Sequence, residues 1–149
     1  MWNDSKSLRL SKICTIIFMI LLVACLVFAP WLVNRLLSIS TPARDAGQTL
    51  FLVTLYIGSV PAALLLAFLY ALLHKISSGQ VFISENVSYL RYISWCLFIG
   101  ALLCIASTFY YIPWFSLGIA AAFIGLVIRV VKNVFAKAVE LQDESDLTI

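Results

Sequence analysis

Four long apolar runs, separated by short polar stretches, make up most of this chain. A helix needs about 20 apolar residues to cross a hydrocarbon core of about 30 Å. Charged residues and histidine are absent from the first three runs and from the fourth as far as Ile128. The fourth run reaches spanning length by continuing to Phe135. The pattern predicts four transmembrane helices, over residues 13–33, 50–73, 93–111 and 114–135.

Apolar residues continue at helical spacing beyond the fourth run, through Val134, Ala138 and Leu141. We therefore expect this helix to leave the bilayer and to continue into a cytoplasmic C-terminal tail, residues 136–149, which ends acidic. The segments outside the spans are too short for a separate soluble domain. Residues 1–149 are predicted to form one all-α domain, a polytopic membrane protein surrounded by the lipid bilayer.

Basic residues are distributed unevenly over the segments outside the spans. Eight precede the first span, flank the connector between the second and third spans, or follow the fourth, and two lie between the first two spans. The positive-inside rule assigns the larger set to the cytoplasm. Both termini are therefore expected there, which agrees with an even number of spans. The eight are Lys6, Arg9, Lys12, Lys75, Arg91, Arg129, Lys132 and Lys137, and the two are Arg35 and Arg44.

The composition agrees with this class of protein. The chain is 63% hydrophobic and 11% charged, whereas soluble domains average about 45–50% apolar and about 25% charged residues. The net charge of +3 is not concentrated in a patch, so direct binding of nucleic acid is not expected.

The first span has an alternative interpretation as a signal peptide, because Leu22-Val23-Ala24-Cys25 resembles a lipoprotein cleavage box. Cleavage there would leave Cys25 as a lipidated N-terminus. Apolar residues continue beyond Cys25 to Val33, which a signal peptide does not need. A retained helix is therefore favoured.

Two spans carry stripes of small residues, which allow another helix to approach closely. We expect both stripes to be helix contact faces, either within the chain or between copies in a homo-oligomer. Pro61 in the second span predicts a kink, which is either a packing feature or a functional hinge. The stripes are Ser59, Ala63, Ala67 and Ala71 in the second span, and Gly118, Ala122 and Gly125 in the fourth.

The connector between the second and third spans, residues 74–92, has the signals of a helix start. Gly79 ends the second helix, Ser84 stands where an N-cap is expected, and Glu85 falls in the first turn. A short amphipathic helix is expected to lead into the third span. The next connector, around Pro113, is so short that spans three and four must be antiparallel neighbours.

The spans lack the groups on which membrane chemistry usually depends. Ion-coupled transporters usually hold an ionisable group at mid-membrane. Only Arg129 could lie within the bilayer here, and its side chain can reach the cytoplasmic head groups. Motifs for metal binding, phosphate binding or a catalytic nucleophile are also missing. We therefore expect neither enzymatic activity nor a cofactor.

The cysteines and the single histidine have structural interpretations. Cys14 and Cys96 would lie at similar depths, as would Cys25 and Cys104, so a redox pair is geometrically conceivable. Free cysteine usually behaves as a small apolar residue, which is the favoured interpretation. His74 is expected at the inner end of the second span.

Two segments share an order of residues with a known family. The first, Gly79 to Ile93, contains Gly79, Phe82, Asn86-Val87 and Leu90-Arg91. The second, Val134 to Ile149, contains Leu141-Gln142, acidic residues and Asp146-Leu147-Thr148-Ile149. Together with the four spans, they resemble the bacterial membrane family DUF2975, a domain of unknown function. The resemblance implies a four-helix bacterial inner-membrane protein, often encoded beside a small helix-turn-helix regulator, and it supplies no catalytic or binding residue.

These features favour a non-enzymatic regulatory or accessory membrane protein. It would contact a cytoplasmic partner through the 74–92 connector and the tail, and the helix-turn-helix regulator implied by the resemblance is one candidate. The predicted partner-binding residues are Phe82, Asn86, Arg91, Glu140, Gln142, Glu144, Asp146 and Leu147.

The alternative is a transporter or channel subunit that acts as an oligomer. Its pore would be lined by hydroxyl groups of the spans, and Pro61 would supply a hinge. The candidate pore residues are Thr54, Tyr56, Ser59, Ser107 and Thr108.

Overall fold

The computed structural model describes residues 4–40 and 44–147, and all regular structure within these ranges is helical. The prediction of an all-α fold is therefore confirmed. The helices are α1 Asp4–Val27, α2 Ala29–Ser40, α3 Arg44–Ser77, α4 Ser84–Ser107 and α5 Pro113–Leu147.

Four of the described helices are long and apolar enough to cross a membrane, as the four apolar runs predicted. They are α1, α3 from Gly47, α4 and α5. Many large apolar side chains on these helices are exposed, including Phe18 on α1 and Phe123 on α5. Exposed apolar surface on this scale needs a cover of lipid or protein.

The first apolar run differs from its prediction, because it is divided between two helices. α1 ends at Val27, and α2 begins at Ala29 with Pro30 in its first turn. In the first turn of a helix the backbone N–H groups have no partner within the helix, so a proline there costs no hydrogen bond. If α1 had continued past Pro30, the proline would have removed one backbone hydrogen bond from the helix interior. The division therefore falls immediately before Pro30.

Residues 34–49, which separate the first two predicted spans, are largely helical rather than looped. Val33 and Leu37, one turn apart on α2, are buried against Phe51 of α3. Burial of this face stabilises α2 in the segment between the first two predicted spans. Thr41 and Pro42 of this segment lie outside the described residues.

The helices pack in the order α1, α3, α4, α5, and α2 packs on α1 and α3. α4 lies between α3 and α5 and buries more residues than any other helix. α4 and α5 are joined by a turn at residues 108–112 and form the predicted hairpin. α3 continues through Pro61 without interruption.

Apolar clusters close the bundle at both ends. One joins α2, α3 and the turn before α5, with Phe51 against Tyr111 and Trp114 at centroid distances of 5.3 and 5.1 Å. The other surrounds Leu72, Leu90 and Ile93, and includes Phe135 of α5.

Both ends of the described chain lie at the same end of the bundle, here called the terminal end. Near the start of α1, Lys12 Nζ donates to Ser77 Oγ at 2.6 Å, in the last turn of α3. The second cluster joins the same part of α3 to Phe135 in α5. The opposite end, which holds α2 and the turn before α5, is called the turn end.

α5 is longer than a bilayer requires. Its 35 residues correspond to about 52 Å of helix at 1.5 Å per residue. The predicted helical continuation beyond residue 135 is confirmed as far as Leu147. Thr148 and Ile149 lie outside the described residues.

Candidate functional site

The connector between α3 and α4 begins with a capped helix end. Gly79 has φ +86°, the left-handed conformation that glycine tolerates best. The Gln80 N–H donates to the Lys75 carbonyl, and the Gly79 N–H donates to the Ile76 carbonyl, both at 3.1 Å. These are the two bonds of a Schellman motif. The glycine of the family-like segment therefore ends α3 and turns the chain towards α4.

Asn86 holds the rest of the connector in place. Its side chain is fully buried, and its Nδ2 donates to the carbonyls of Gln80 at 2.8 Å and Val81 at 2.7 Å. Carbonyls in a connector have no helical partner, and leaving them unpaired away from water is costly. Asn86 was predicted as a partner-binding residue. Its burial corrects this interpretation, because the side chain has no exposed surface to offer.

The predicted N-cap at Ser84 is also wrong by one position. Ile83 is the N-cap, with extended φ −121° and ψ 153°, and it makes no side-chain cap hydrogen bond. α4 then continues from Ser84 without a separate lead-in helix. The bonds from Asn86 to the connector fix the entry to α4, so a hydroxyl cap is not required.

Two further contacts attach the connector to its neighbours. Lys75 Nζ lies 3.0 Å from Glu85 Oε2, and this ion pair joins the end of α3 to the start of α4. The rings of Phe82 and Phe135 lie 5.3 Å apart, which joins the connector to α5. Phe82 nevertheless remains 45% exposed. The connector thus presents an apolar side chain beside the helix that carries the tail.

The described part of the tail, residues 136–147, is a helix exposed along most of its length. Lys137 and Glu140 form an exposed ion pair at 3.3 Å. Beyond that pair the helix carries acidic residues and no basic ones, and it ends with Leu147, which is 85% exposed. The predicted residues Glu140, Gln142, Glu144, Asp146 and Leu147 are all on this surface.

The structure therefore brings together some of the predicted partner-binding residues and separates others. Phe82 contacts the α5 segment from which the tail extends. Arg91 is exposed on α4. Asn86 lies in the interior, where it supports Phe82 indirectly by fixing the connector.

The small residues of α5 pack against α4. A Cβ on Gly118 would lie 2.9 Å from Ile105 Cγ1 and 3.1 Å from the Ala101 carbonyl oxygen. A Cβ on Gly125 would lie 3.1 Å from Phe98. In addition, Ser94 Oγ donates to the Gly125 carbonyl at 3.1 Å. The close approach of α4 and α5 depends on these glycines.

The small residues of α3 are placed differently. Ser59 and Ala71 are half-buried, but Ala63 and Ala67 are exposed. Ala122 of α5 is half-buried. The stripe on α3 is thus only partly covered within one chain.

The hydroxyl groups proposed to line a pore all form hydrogen bonds within the chain, and only those of Thr54 and Ser107 belong to buried residues. The Tyr110 hydroxyl donates to Thr54 Oγ1 at 2.6 Å, and Thr54 Oγ1 lies 3.1 Å from Ser107 Oγ. A cavity of about 300 Å³ is lined by residues of α1, α3, α4 and α5, and none of them is charged. Of the candidate pore residues, Thr54 and Ser59 contribute to its lining. The other three hydroxyls donate to backbone carbonyls: Tyr56 to Leu26, Ser59 to Tyr56 and Thr108 to Cys104.

The cysteines and His74 form no site among the described residues. All four cysteines are free, and α1 makes no contact with α4 that would bring the predicted pairs together. His74 is exposed and stacks on Tyr70, with centroids 6.4 Å apart. Within the described residues, no group of three potential metal ligands occurs.

In the structure the Arg129 side chain packs on α4. Its Cζ lies 5.3 Å from the Trp95 ring centroid and 5.6 Å from that of Phe98, on α4. Helical side chains lean towards the helix N-terminus, and the N-terminus of α5 is at the turn end. Arg129 therefore leans towards the turn end and packs on α4. Predicting this contact from the sequence requires the general direction in which helical side chains lean.

Comparison with known proteins gives one family match. The model of a family described as protein of unknown function (DUF2975) matches residues 37–149. This match covers both segments that carried the resemblance and confirms it. No curated protein and no solved structure matches the chain.

Proposed function

The chain belongs to the DUF2975 family, and we propose that it is a non-enzymatic regulatory or accessory protein that binds a cytoplasmic partner through its terminal end. In this proposal it is a multi-pass protein of a bacterial inner membrane, with both termini in the cytoplasm. The connector and the tail form the binding surface.

The contact between Phe82 and Phe135 is the observation that carries this proposal. It places the exposed part of the connector beside the segment from which the tail extends. The bonds from Asn86 and the Lys75–Glu85 ion pair hold the connector in one conformation. A surface that is already ordered loses less conformational entropy when it binds a partner.

The distribution of charge supports the cytoplasmic assignment. The set of eight basic residues lies at or near the terminal end, and the set of two belongs to the turn end. The positive-inside rule places the richer set in the cytoplasm.

The charge of the tail indicates the chemistry of the partner. Residues 140–147 contain four carboxylates and no basic side chain. Opposite charge on a partner favours encounter and correct orientation, so the partner should present a basic surface. DNA-binding proteins have such surfaces, and the helix-turn-helix regulator remains the candidate partner.

Neutralising the tail tests the proposal. A variant with Glu140→Gln, Asp143→Asn, Glu144→Gln and Asp146→Asn should lose its partner in cross-linking pull-downs from native membranes, while its membrane insertion stays unchanged. Asp4→Asn at the same end is the control and should retain the partner. Recovery of the same proteins with the wild-type and neutralised tails would contradict the proposal.

A second candidate function is that of an oligomeric transporter or channel subunit, and the exposed part of the small-residue stripe on α3 favours it. Ala63 and Ala67 would allow a second copy to approach closely. Flux of an ion or a small solute through liposomes that contain the purified protein would support this function. Absence of flux for every solute tried, with the protein correctly inserted, would count against it.

A further inference from the structure

Arg129 places a positive charge inside the membrane-spanning part of the bundle. It follows Pro113 by about 24 Å of helix, at 1.5 Å per residue. A hydrocarbon core of about 30 Å that begins near the first turn of α5 would therefore include it. The guanidinium lies over the rings of Trp95 and Phe98, and its Nε is buried without a hydrogen-bond partner in the described residues.

The described part of the chain supplies no counter-charge for Arg129. Glu85 pairs with Lys75, Glu140 pairs with Lys137, and no ion pair of Arg129 occurs among the described residues. The membrane-spanning runs contain no carboxylate at all. Contacts with aromatic rings offset part of the cost of a charge in the bilayer, but such a charge is usually paired as well.

Two more basic residues lie on the same helices, closer to the terminal end. Arg91 precedes Trp95 by four residues on α4, and Lys132 follows Arg129 by three residues on α5. Residues with this spacing are neighbours on a helix surface. Arg91 is exposed and Lys132 is half-buried, and neither forms an ion pair with any described residue. Trp95, one turn from Arg91 on α4 and under the Arg129 guanidinium, is 52% exposed.

We propose that this seam between α4 and α5, defined by Arg91, Trp95, Arg129 and Lys132, binds the phosphate of an anionic phospholipid. An arginine fork can donate two parallel hydrogen bonds to a phosphate. Basic pockets between transmembrane helices bind acidic lipid head groups in this way. In the structure the Arg129 guanidinium lies over Trp95 and Phe98, so binding requires this long side chain to turn along the seam towards the phosphate. The acyl chain lies against the exposed face of Trp95.

The site does not depend on the proposed partner. It lies on the surface of the bundle where α4 meets α5, and it uses none of the carboxylates of the tail. The lipid would belong to the leaflet nearer the terminal end. With the proposed orientation this is the cytoplasmic leaflet, whose anionic lipids attract basic residues close to the membrane.

Lipid binding to the purified full-length protein tests the inference. Native mass spectrometry should show tighter binding of phosphatidylglycerol than of phosphatidylcholine. Arg129→Gln should reduce the affinity for phosphatidylglycerol about fivefold, the usual contribution of one basic residue near an acidic lipid. Arg129→Lys should retain part of the preference.

Arg35→Gln is the matched control. Arg35 Cζ lies 5.8 Å from the Trp31 ring centroid, so it repeats the Arg–Trp contact outside the seam. This variant should bind phosphatidylglycerol as the wild type does. Equal binding of the two lipids by the wild type would overturn the inference, and so would unchanged binding by a correctly folded Arg129→Gln variant.

Discussion

Asn86 supports the candidate site without forming part of its surface. Its side-chain amide donates hydrogen bonds to the carbonyl oxygens of Gln80 and Val81, which have no partner within a helix. A hydrogen bond of this kind contributes about 0.5–1.5 kcal/mol to stability. The order of the connector, and therefore the position of Phe82, depends on this one side chain.

Asn86→Asp tests that dependence, because aspartate has nearly the shape of asparagine but lacks the Nδ2 group that donates both hydrogen bonds. The unfolding free energy should fall by about 2 kcal/mol, since a fully buried side chain loses two hydrogen bonds of about 1 kcal/mol each. Unfolding in detergent micelles followed by circular dichroism measures the change. Gln142→Glu, an equivalent amide-to-acid change in the exposed tail, should have little effect. Equal stability of Asn86→Asp and the wild type would show that the amide does not hold the connector.

At the scale of elements, the hairpin of α4 and α5 depends on glycines. Gly118 and Gly125 of α5 are buried against α4. A methyl group at Gly118 would lie too close to the backbone of Ala101 on α4. A backbone atom inside a packed hairpin cannot move aside as a side-chain end can. Close approach of the two helices is therefore sensitive to a single added carbon.

Gly118→Ala should destabilise the bundle by about 1–2 kcal/mol, because overpacking outweighs the gain in helix propensity. Gly100→Ala is the matched control, since a Cβ there has no atom within 4 Å. The control should be neutral, or stabilise the helix by up to about 1 kcal/mol. Chemical denaturation of both variants in micelles provides the comparison. If both variants changed the unfolding free energy equally, the close contact of Gly118 with α4 would not contribute to stability.

Hydropathy predicted the membrane-crossing helices but not the division of the first run. The apolar run continues beyond Val27 as far as Val33. Val33 nevertheless faces the protein interior, whereas most of α1 faces outward. Lipid and protein interior favour the same side chains, so their sequence pattern does not separate them. The burial that makes α2 a helix depends on Phe51, which is far along the chain.

The candidate site was predicted in part for a related reason. Antiparallel spans place the connector and the tail at one end, so their proximity followed from the topology. The interior position of Asn86 and the contact of Phe82 with Phe135 did not follow, because they depend on the path of the connector and on the rotation of α5 about its axis. The path of the connector and the rotation of α5 both depend on packing between residues that are far apart in the sequence.

The whole molecule has its two described chain ends at one side. Lys12 on α1 bonds to the last turn of α3, and α5 returns to the same end. Residues of α2, such as Ile39, lie at the turn end, and Ile39 is 85% exposed. The proposed orientation therefore makes opposite predictions for α2 and for the tail.

Cysteine labelling tests this orientation in a background with the four native cysteines changed to serine. A membrane-impermeant maleimide should label Ile39→Cys in intact cells and should label Gln142→Cys only after permeabilisation. The physical reason is that the bilayer excludes the reagent from the cytoplasmic side. The reverse pattern would invert the topology and remove the cytoplasmic partner from consideration.

The uninterrupted length of α5 has a mechanical consequence. The helix runs from Pro113 to Leu147 with no later proline, and it packs on the rest of the bundle as far along as Phe135. The segment beyond Phe135 therefore projects as a stiff arm. A tilt of about 5° around Phe135 would move Leu147 by about 1.6 Å, given about 18 Å of helix between them. Small motions among the membrane-embedded segments would thus be transmitted to the acidic tip.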